Sequence, residues 1–215
     1  MVDKDFTDTK AGAEHSALTN TVFKLRGTLF SLFGLLALVA LYFEARGTIL
    51  PAATQAVLTG VGATLLVCGL VIRLWAALYI VHNRNRHLVS SGPYSIVRNP
   101  LYVGNFVAIF GALVAAGSFL AILIGMLGMA FVYYFTIRYE DARLAIHFED
   151  EFNEFRARVP RVIPSLRNIK ALFTQERKDS ISYNNIQKEL FRALQALGVV
   201  ALILVFTYAV RYGLI

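Results

Sequence analysis

The sequence predicts an all-α fold: a polytopic membrane bundle of about five transmembrane helices, with cytoplasmic loops and an amphipathic helix beside them. Three observations predict it. Of 215 residues, 57% are hydrophobic and 16% charged, far from soluble usage. Residues 101–137 contain no Asp, Glu, Lys or Arg. As one helix these 37 residues would reach roughly 55 Å at about 1.5 Å each, well past a hydrocarbon core of about 30 Å, so the segment must fold back. Finally, of 21 Lys and Arg, eighteen fall in the N-terminal stretch to Arg26, in 82–99 and in 138–192, while the opposite side holds only Arg46 and Arg211. That asymmetry predicts a cytoplasmic N-terminus and a C-terminus on the opposite side.

The elements follow in order. Residues 1–25 are polar and without sustained period, a tail assigned no chemistry, and 26–215 form one membrane domain. The uncharged run 27–43 is the first span. It is preceded by Asp3, Asp5, Asp8 and Glu14, a poor leader for a secretory signal. "ARGTILPAAT" makes the next turn, with Pro51 close to the start of a second helix that carries the run 47–72 on to about Tyr79. "VHNRNRHLVSSGPYSIVRNP" is an inner loop. Gly117 and Ser118 divide the long uncharged segment into arms of about 101–116 and 119–137. Beyond them Leu144, Phe148, Phe152, Phe155 and Val159 recur at spacings of 4, 4, 3 and 4, one apolar stripe on a helix. Glu154 and Arg158 form a favourable pair on its opposite face, and Pro160 and Pro164 stop it. A hydrophilic connector from 165 to about 189 leads to a last helix of about 191–212, around the uncharged run 193–210.

The net charge of +7 sits in loops flanking the membrane, where it favours anionic lipid headgroups and argues against nucleic acid as a partner. The single Cys68 excludes an intrachain disulfide and a Cys-ligated zinc site. His82 and His87 lie five residues apart without a third ligand candidate, so no metal site is expected.

Two constellations stand out. In "SGPYSIVRNPLYVG", residues 91–104, Gly92-Pro93 is ordinary turn chemistry and Asn99-Pro100 is a sound helix start, Asn at the N-cap and Pro next. Arg98 stands beside that helix N-terminus, where free N–H groups and the dipole attract anions. Tyr94 and Tyr102 flank it, and Gly104 permits close approach to the first turn. Such a place suits a ligand with a carboxylate or phosphate and an aromatic part; the plain alternative is a turn. The second constellation is Glu140-Asp141. The hairpin's arms are antiparallel, so Asn99 to Tyr102 and Ile137 to Asp141 share one membrane depth and can meet. The two carboxylates suit a ribose diol or a cation; the plain alternative is a pair of solvated charges.

"GPYSIVRNPLYVG", an uncharged hairpin, "RYED" and then "FEDEFNEFRARVPRVIP" together resemble the isoprenylcysteine carboxyl methyltransferase and phospholipid methyltransferase superfamily. Its members carry a GPY…R(H/N)PxYxG loop and an acidic pair leading to an FGxxYxxYxxxVPR-like helix. The resemblance covers roughly Arg73 to Pro164. It implies an integral membrane methyltransferase with S-adenosylmethionine bound at the cytoplasmic helix ends and a lipophilic substrate entering from the bilayer. By matching positions, Gly92, Pro93, Tyr94, Arg98, Asn99, Pro100, Tyr102 and Gly104 would form one wall of the cofactor site and Glu140 and Asp141 the acidic pair. Phe155, Arg156, Val159, Pro160 and Arg161 would belong to a lid. Asn99 stands where many members have His, Asp141 where a second Glu is usual, Glu149 at a Gly position, and Phe152 and Phe155 at Tyr positions.

Methyl transfer from a sulfonium is an in-line displacement, so catalysis is mostly alignment in a site closed to water. A carboxylate acceptor is already ionised near neutral pH; a lipid ammonium needs a base. No His–carboxylate pair presents itself, although His147 lies on a polar helix face. Arg73, the only charge within the second span, is a candidate for orienting an acceptor carboxylate, or it can snorkel to the interface; Arg161 is the alternative for that task. The expected activity is therefore methylation of an amphiphile, carboxyl O-methylation ahead of N-methylation of an aminophospholipid. An NADPH-dependent sterol-type reductase and a non-catalytic membrane protein are the readings from other classes.

Overall fold

The computed structural model describes residues 10–48, 50–79, 88–165, 169–170 and 183–214. Five helices carry the chain: α1 Lys10–Gly47, α2 Ala52–Tyr79, α3 Pro100–Ala116, α4 Phe119–Arg158 and α5 Tyr183–Arg211, with a 3-10 turn at Gly92–Ser95. Four are long and apolar enough to cross a membrane, over Ala17–Gly47, Ala52–Tyr79, Phe119–Arg158 and Leu190–Arg211. The fifth, α3, has 17 residues, about 25 Å of helix. Leu35, Phe43, Val57, Leu127 and Leu202 are exposed outside the bundle, as lipid-facing side chains are. This is an integral membrane protein with the helical architecture read from the sequence.

The predicted hairpin is present. Gly117 ends α3 in the left-handed conformation, φ 67°, and Ser118 caps α4, its Oγ accepting from the Ala121 N–H. That turn is fastened from two sides. Ser118 Oγ donates to Glu44 of α1 at 2.6 Å, and the Phe119 and Leu120 N–H groups donate to the same carboxylate at 3.1 and 3.0 Å, filling donors a helix start leaves open. From α5, buried Arg211 donates to the Gly117 carbonyl at 3.2 Å and to Gln55 of α2. The end of the bundle bearing Gly117 is thus tied across all five helices.

Small residues bring α2 and α3 together. A Cβ placed on Gly62, Gly69, Gly104 or Gly111 would run into the backbone of the facing helix, at Ala115, Ala108, Arg73 and Leu66 in turn. In lipid there is no hydrophobic drive between helices, so close backbone approach supplies the attraction. On the other side α1 lies along α4, with the Phe23 ring stacked on Tyr139 at 3.8 Å and Phe33 against Gly128.

Two boundaries differ from the sequence reading. Residues 10–25, read as part of a polar tail, are helical; Thr19 and Val22 are buried. Charge marks where a helix leaves hydrocarbon, and the helix itself runs on. The return arm likewise continues past 137 to Arg158, so the hairpin and the amphipathic helix are one element broken at Glu149, where φ is 37°. His82, Arg84, Arg86 and His87 of the inner loop, and the connector residues 166–168 and 171–182, lie outside the described residues.

Candidate functional site

The loop after α2 is compact because its sequence leaves little choice. Gly92 has φ 55°, and a Cβ there would strike the Tyr79 ring. Ser95 Oγ donates to the Gly92 carbonyl at 2.7 Å, closing the 3-10 turn. Gly92, Pro93, Ser95 and Val97 are buried, so this loop is interior structure. Pro100 is buried at the start of α3, and the Tyr102 and Val103 N–H groups donate to the Asn99 carbonyl at 3.1 and 3.2 Å.

The segment following α4 folds back onto that loop. Between Asp141 and Glu149 the helix rises about 12 Å, and from there to Arg158 about 13 Å more, so a straight course would carry Arg161 far from Asp141. Instead Arg161 Nε lies 2.8 Å from Asp141 Oδ2. The break at Glu149 reverses the chain, in a conformation that L side chains avoid and glycine tolerates. Phe152, Phe155 and Val159 then bury against Leu88, Leu144, Ala145 and Phe148, which is the apolar stripe folded upon itself. Two backbone bonds fasten the strap: Arg98 N–H to the Pro160 carbonyl and Ser165 N–H to the Ile96 carbonyl, both 2.9 Å. The Asn99 side-chain amide adds a third, to the Arg161 carbonyl at 3.0 Å.

At the centre is an ion triad. Asp141 Oδ2 accepts from Arg98 Nη1 at 3.2 Å and from Arg161 Nε at 2.8 Å. The Arg98 and Asp141 side chains are 11% and 12% exposed, that of Arg161 46%. Burial pushes the Arg98 guanidinium below its ordinary pKa, and the neighbouring Asp141 charge works the other way. The guanidinium lies 5.8 Å over the Phe152 ring, while its Nε is buried without a hydrogen-bond partner among the described residues. A buried donor without an acceptor is an opening for a ligand's oxygen.

The structure therefore brings Arg98, Asn99, Asp141 and Arg161 together, and keeps Glu140, half-buried, beside them. Tyr94 is half-buried in the loop, and the Tyr102 ring lies 4.6 Å from that of Tyr133. Two expectations are corrected, at Asn99 and at Gly104. Asn99 occupies the N-cap position but its side chain does not cap α3; it is drawn to the strap. Gly104 is pressed on α2, where a Cβ would lie 2.7 Å from the Arg73 nitrogen, so the close approach it permits is that of a helix. Arg73 neither joins the triad nor stands alone, since its Nη1 donates to Asn105 Oδ1. Asn105 in turn donates to the Tyr133 hydroxyl at 2.8 Å. Neither Asn105 nor Tyr133 was singled out from the sequence; polar side chains inside the uncharged run 101–137 are the signal that could have found them.

The phospholipid methyltransferase family model matches residues 57–151, which hold α2, the loop, the hairpin and the acidic pair. The chain is 34% identical over 82 residues to the protein-S-isoprenylcysteine O-methyltransferase of Schizosaccharomyces pombe, covering 38% of this chain and 35% of that one. The chain belongs to the isoprenylcysteine carboxyl methyltransferase and phospholipid methyltransferase superfamily. Longer matches join it to two bacterial proteins. It is 36% identical to the nickel-cobalt-cadmium resistance protein NccN of Alcaligenes xylosoxydans xylosoxydans, over 65% of this chain and 67% of that one. It is also 36% identical to the cobalt-zinc-cadmium resistance protein CzcN of Cupriavidus metallidurans, over 59% and 56%. No solved structure matches. Within the superfamily's pattern, the positive φ at Glu149 falls where a glycine is usual. Among the described residues no three His, Cys, Asp or Glu cluster as a metal site.

Proposed function

We propose that this superfamily member is an S-adenosylmethionine-dependent methyltransferase acting on a lipophilic acceptor, with carboxyl O-methylation as its reaction. The observation that carries the reading is the convergence of the α3 start, the α4 acidic pair and the strap on one junction, built around the Arg98–Asp141–Arg161 triad. The donor set fits the cofactor. Arg98, with its unused Nε, and half-exposed Arg161 suit a carboxylate; Glu140 and Asp141 suit an ammonium or a ribose diol; Tyr94 and Tyr102 offer aromatic surface. When bound, S-adenosylmethionine supplies an electrophilic methyl group on a sulfonium.

The chain's own part is binding and exclusion of water. Arg161 bridges strap and α4, and its partly exposed side chain is the movable member of the triad. The apolar seal of Phe152, Phe155 and Val159 keeps water from the junction. A carboxylate acceptor needs no base, having a pKa near 4. The match to the phospholipid methyltransferase family favours N-methylation of an aminophospholipid as the second reading. By the distribution of Lys and Arg, the junction and N-terminus face the cytoplasm and the C-terminus the other side.

Calorimetry on detergent-purified protein tests the reading. S-adenosylhomocysteine is expected to bind, and Arg98→Ala to weaken it about tenfold or more, the loss of a charge-assisted hydrogen bond. Binding of NADPH in its place would make the chain a reductase relative, and binding of neither would leave a non-catalytic protein.

A further inference from the structure

Below the triad lies a second polar group that the proposed cofactor site does not use. Arg73 of α2, Asn105 of α3 and Tyr133 of α4 are half-buried and joined in one chain of hydrogen bonds. Tyr133 is seven and eight residues from Glu140 and Asp141 on the same helix, about 11–12 Å away along its axis. Polar groups at such depth are expensive in lipid and mark function more often than chance. The direction of the hydrogen bonds shows what this group offers. A guanidinium only donates, so the Asn105 oxygen faces Arg73 and its nitrogen faces Tyr133. The Tyr133 oxygen accepts that bond, and its own proton points elsewhere; no described residue accepts it. The second amide proton of Asn105 is in the same position. The Tyr133 ring is held by Phe30 at 5.3 Å and Tyr102 at 4.6 Å, so the hydroxyl is aimed rather than free to wander.

We propose that Tyr133 and Asn105, oriented by Arg73, form an intramembrane site for the hydrogen-bond-accepting head of an amphiphile, a carboxylate in particular. This rests on the methyltransferase reading for its purpose, since it would be the place that holds the acceptor beneath the cofactor. The recognition chemistry stands without it. Two outward donors beside a guanidinium attract a carboxylate, whereas an ammonium has only donors of its own and meets a like charge. Tyr133 and Asn105 are thus specificity-determining residues, and Arg73 a positioning residue that acts through Asn105.

The test measures binding of oleate and oleylamine, matched in tail and opposite in head, to the purified full chain by native mass spectrometry. Oleate is expected to bind at least about tenfold more tightly than oleylamine, and Tyr133→Phe to lower oleate affinity about tenfold, one hydrogen bond to a charged group. S-adenosylhomocysteine binding should be unchanged in that variant. Asn105→Ala is the second variant and should act in the same direction. Equal binding of the two amphiphiles, or a Tyr133→Phe variant that changes melting temperature but not their ratio, would reduce the network to an interhelical tie and overturn the proposal. Tyr133-dependent oleate binding in a protein that ignores S-adenosylhomocysteine would uphold this site while removing the methyltransferase reading.

Discussion

Asp141 shows how much one side chain holds. It is the shared acceptor of two arginines that reach it from a loop 43 residues earlier and a strap 20 residues later. Asp141→Asn keeps the volume and deletes the charge, leaving Arg98 buried without a counter-ion. A loss of about 3 kcal/mol is expected, read as a fall in thermal stability in detergent. Arg161→Ala removes a partner that is 46% exposed, so screening by solvent limits its effect to about 0–1 kcal/mol. If the two variants melted alike, the triad would not be organised around the buried pair. Glu149 makes the opposite case. Its φ of 37° is strained for a residue with a Cβ, at about 1–3 kcal/mol. Glu149→Gly should therefore raise stability by about 1 kcal/mol, despite glycine's greater unfolded freedom. A lower melting temperature for this variant would mean that the reversal is not a source of strain.

Among the elements, the α2–α3 pair is the most demanding. Gly69 has the Ala108 backbone where its side chain would be, whereas Gly60, nine residues earlier on the same helix, has nothing within 4 Å. Gly69→Leu should force the helices apart and destabilise by about 1–3 kcal/mol, and Gly60→Leu should leave melting unchanged. Comparable losses at both positions would show that the close approach at Gly69 is not what the larger side chain disturbs, since leucine is the better helix former at either place. Separation of α2 from α3 would also move Arg73 away from Asn105, so Gly69→Leu should disturb the intramembrane polar network from a distance. The hairpin is the element most legible in the sequence: a charge-free run too long for one crossing must turn, and Gly117-Ser118 is its best turn chemistry. The doubling back of α4 was not legible, because an apolar stripe at helical spacing is the same whether the helix runs straight or folds at Glu149 to bury that stripe on itself.

At the scale of the whole molecule, the two ends of the bundle differ in kind. One end is tied by Glu44, Gln55, Ser118 and Arg211, with α5 anchored to the hairpin turn. The other carries the charged junction and the strap. A rigid end opposite an end built from loop and strap suits a protein that must admit a ligand on one side only. If the junction faces the cytoplasm, a reporter fused after Ile215 that is active only outside the cytoplasm should be active, and one fused before residue 10 should be silent. The reverse pattern would invert the orientation drawn from Lys and Arg placement, while leaving the fold intact.

Composition and charge placement by themselves determined that the chain lives in a membrane as a helical bundle and where its hairpin turns. These are local or additive properties: a charge is excluded from hydrocarbon and a glycine is free to turn whatever surrounds them. Only the tertiary structure decided that Gly104 serves helix packing, that Asn99 reaches for the strap, that Arg73 belongs to a network with Asn105 and Tyr133, and that Arg98 and Arg161 share Asp141. Each of those depends on which residue of a distant element lies within about 3 Å, the reach of a hydrogen bond, and periodicity along one chain segment carries no information about that distance.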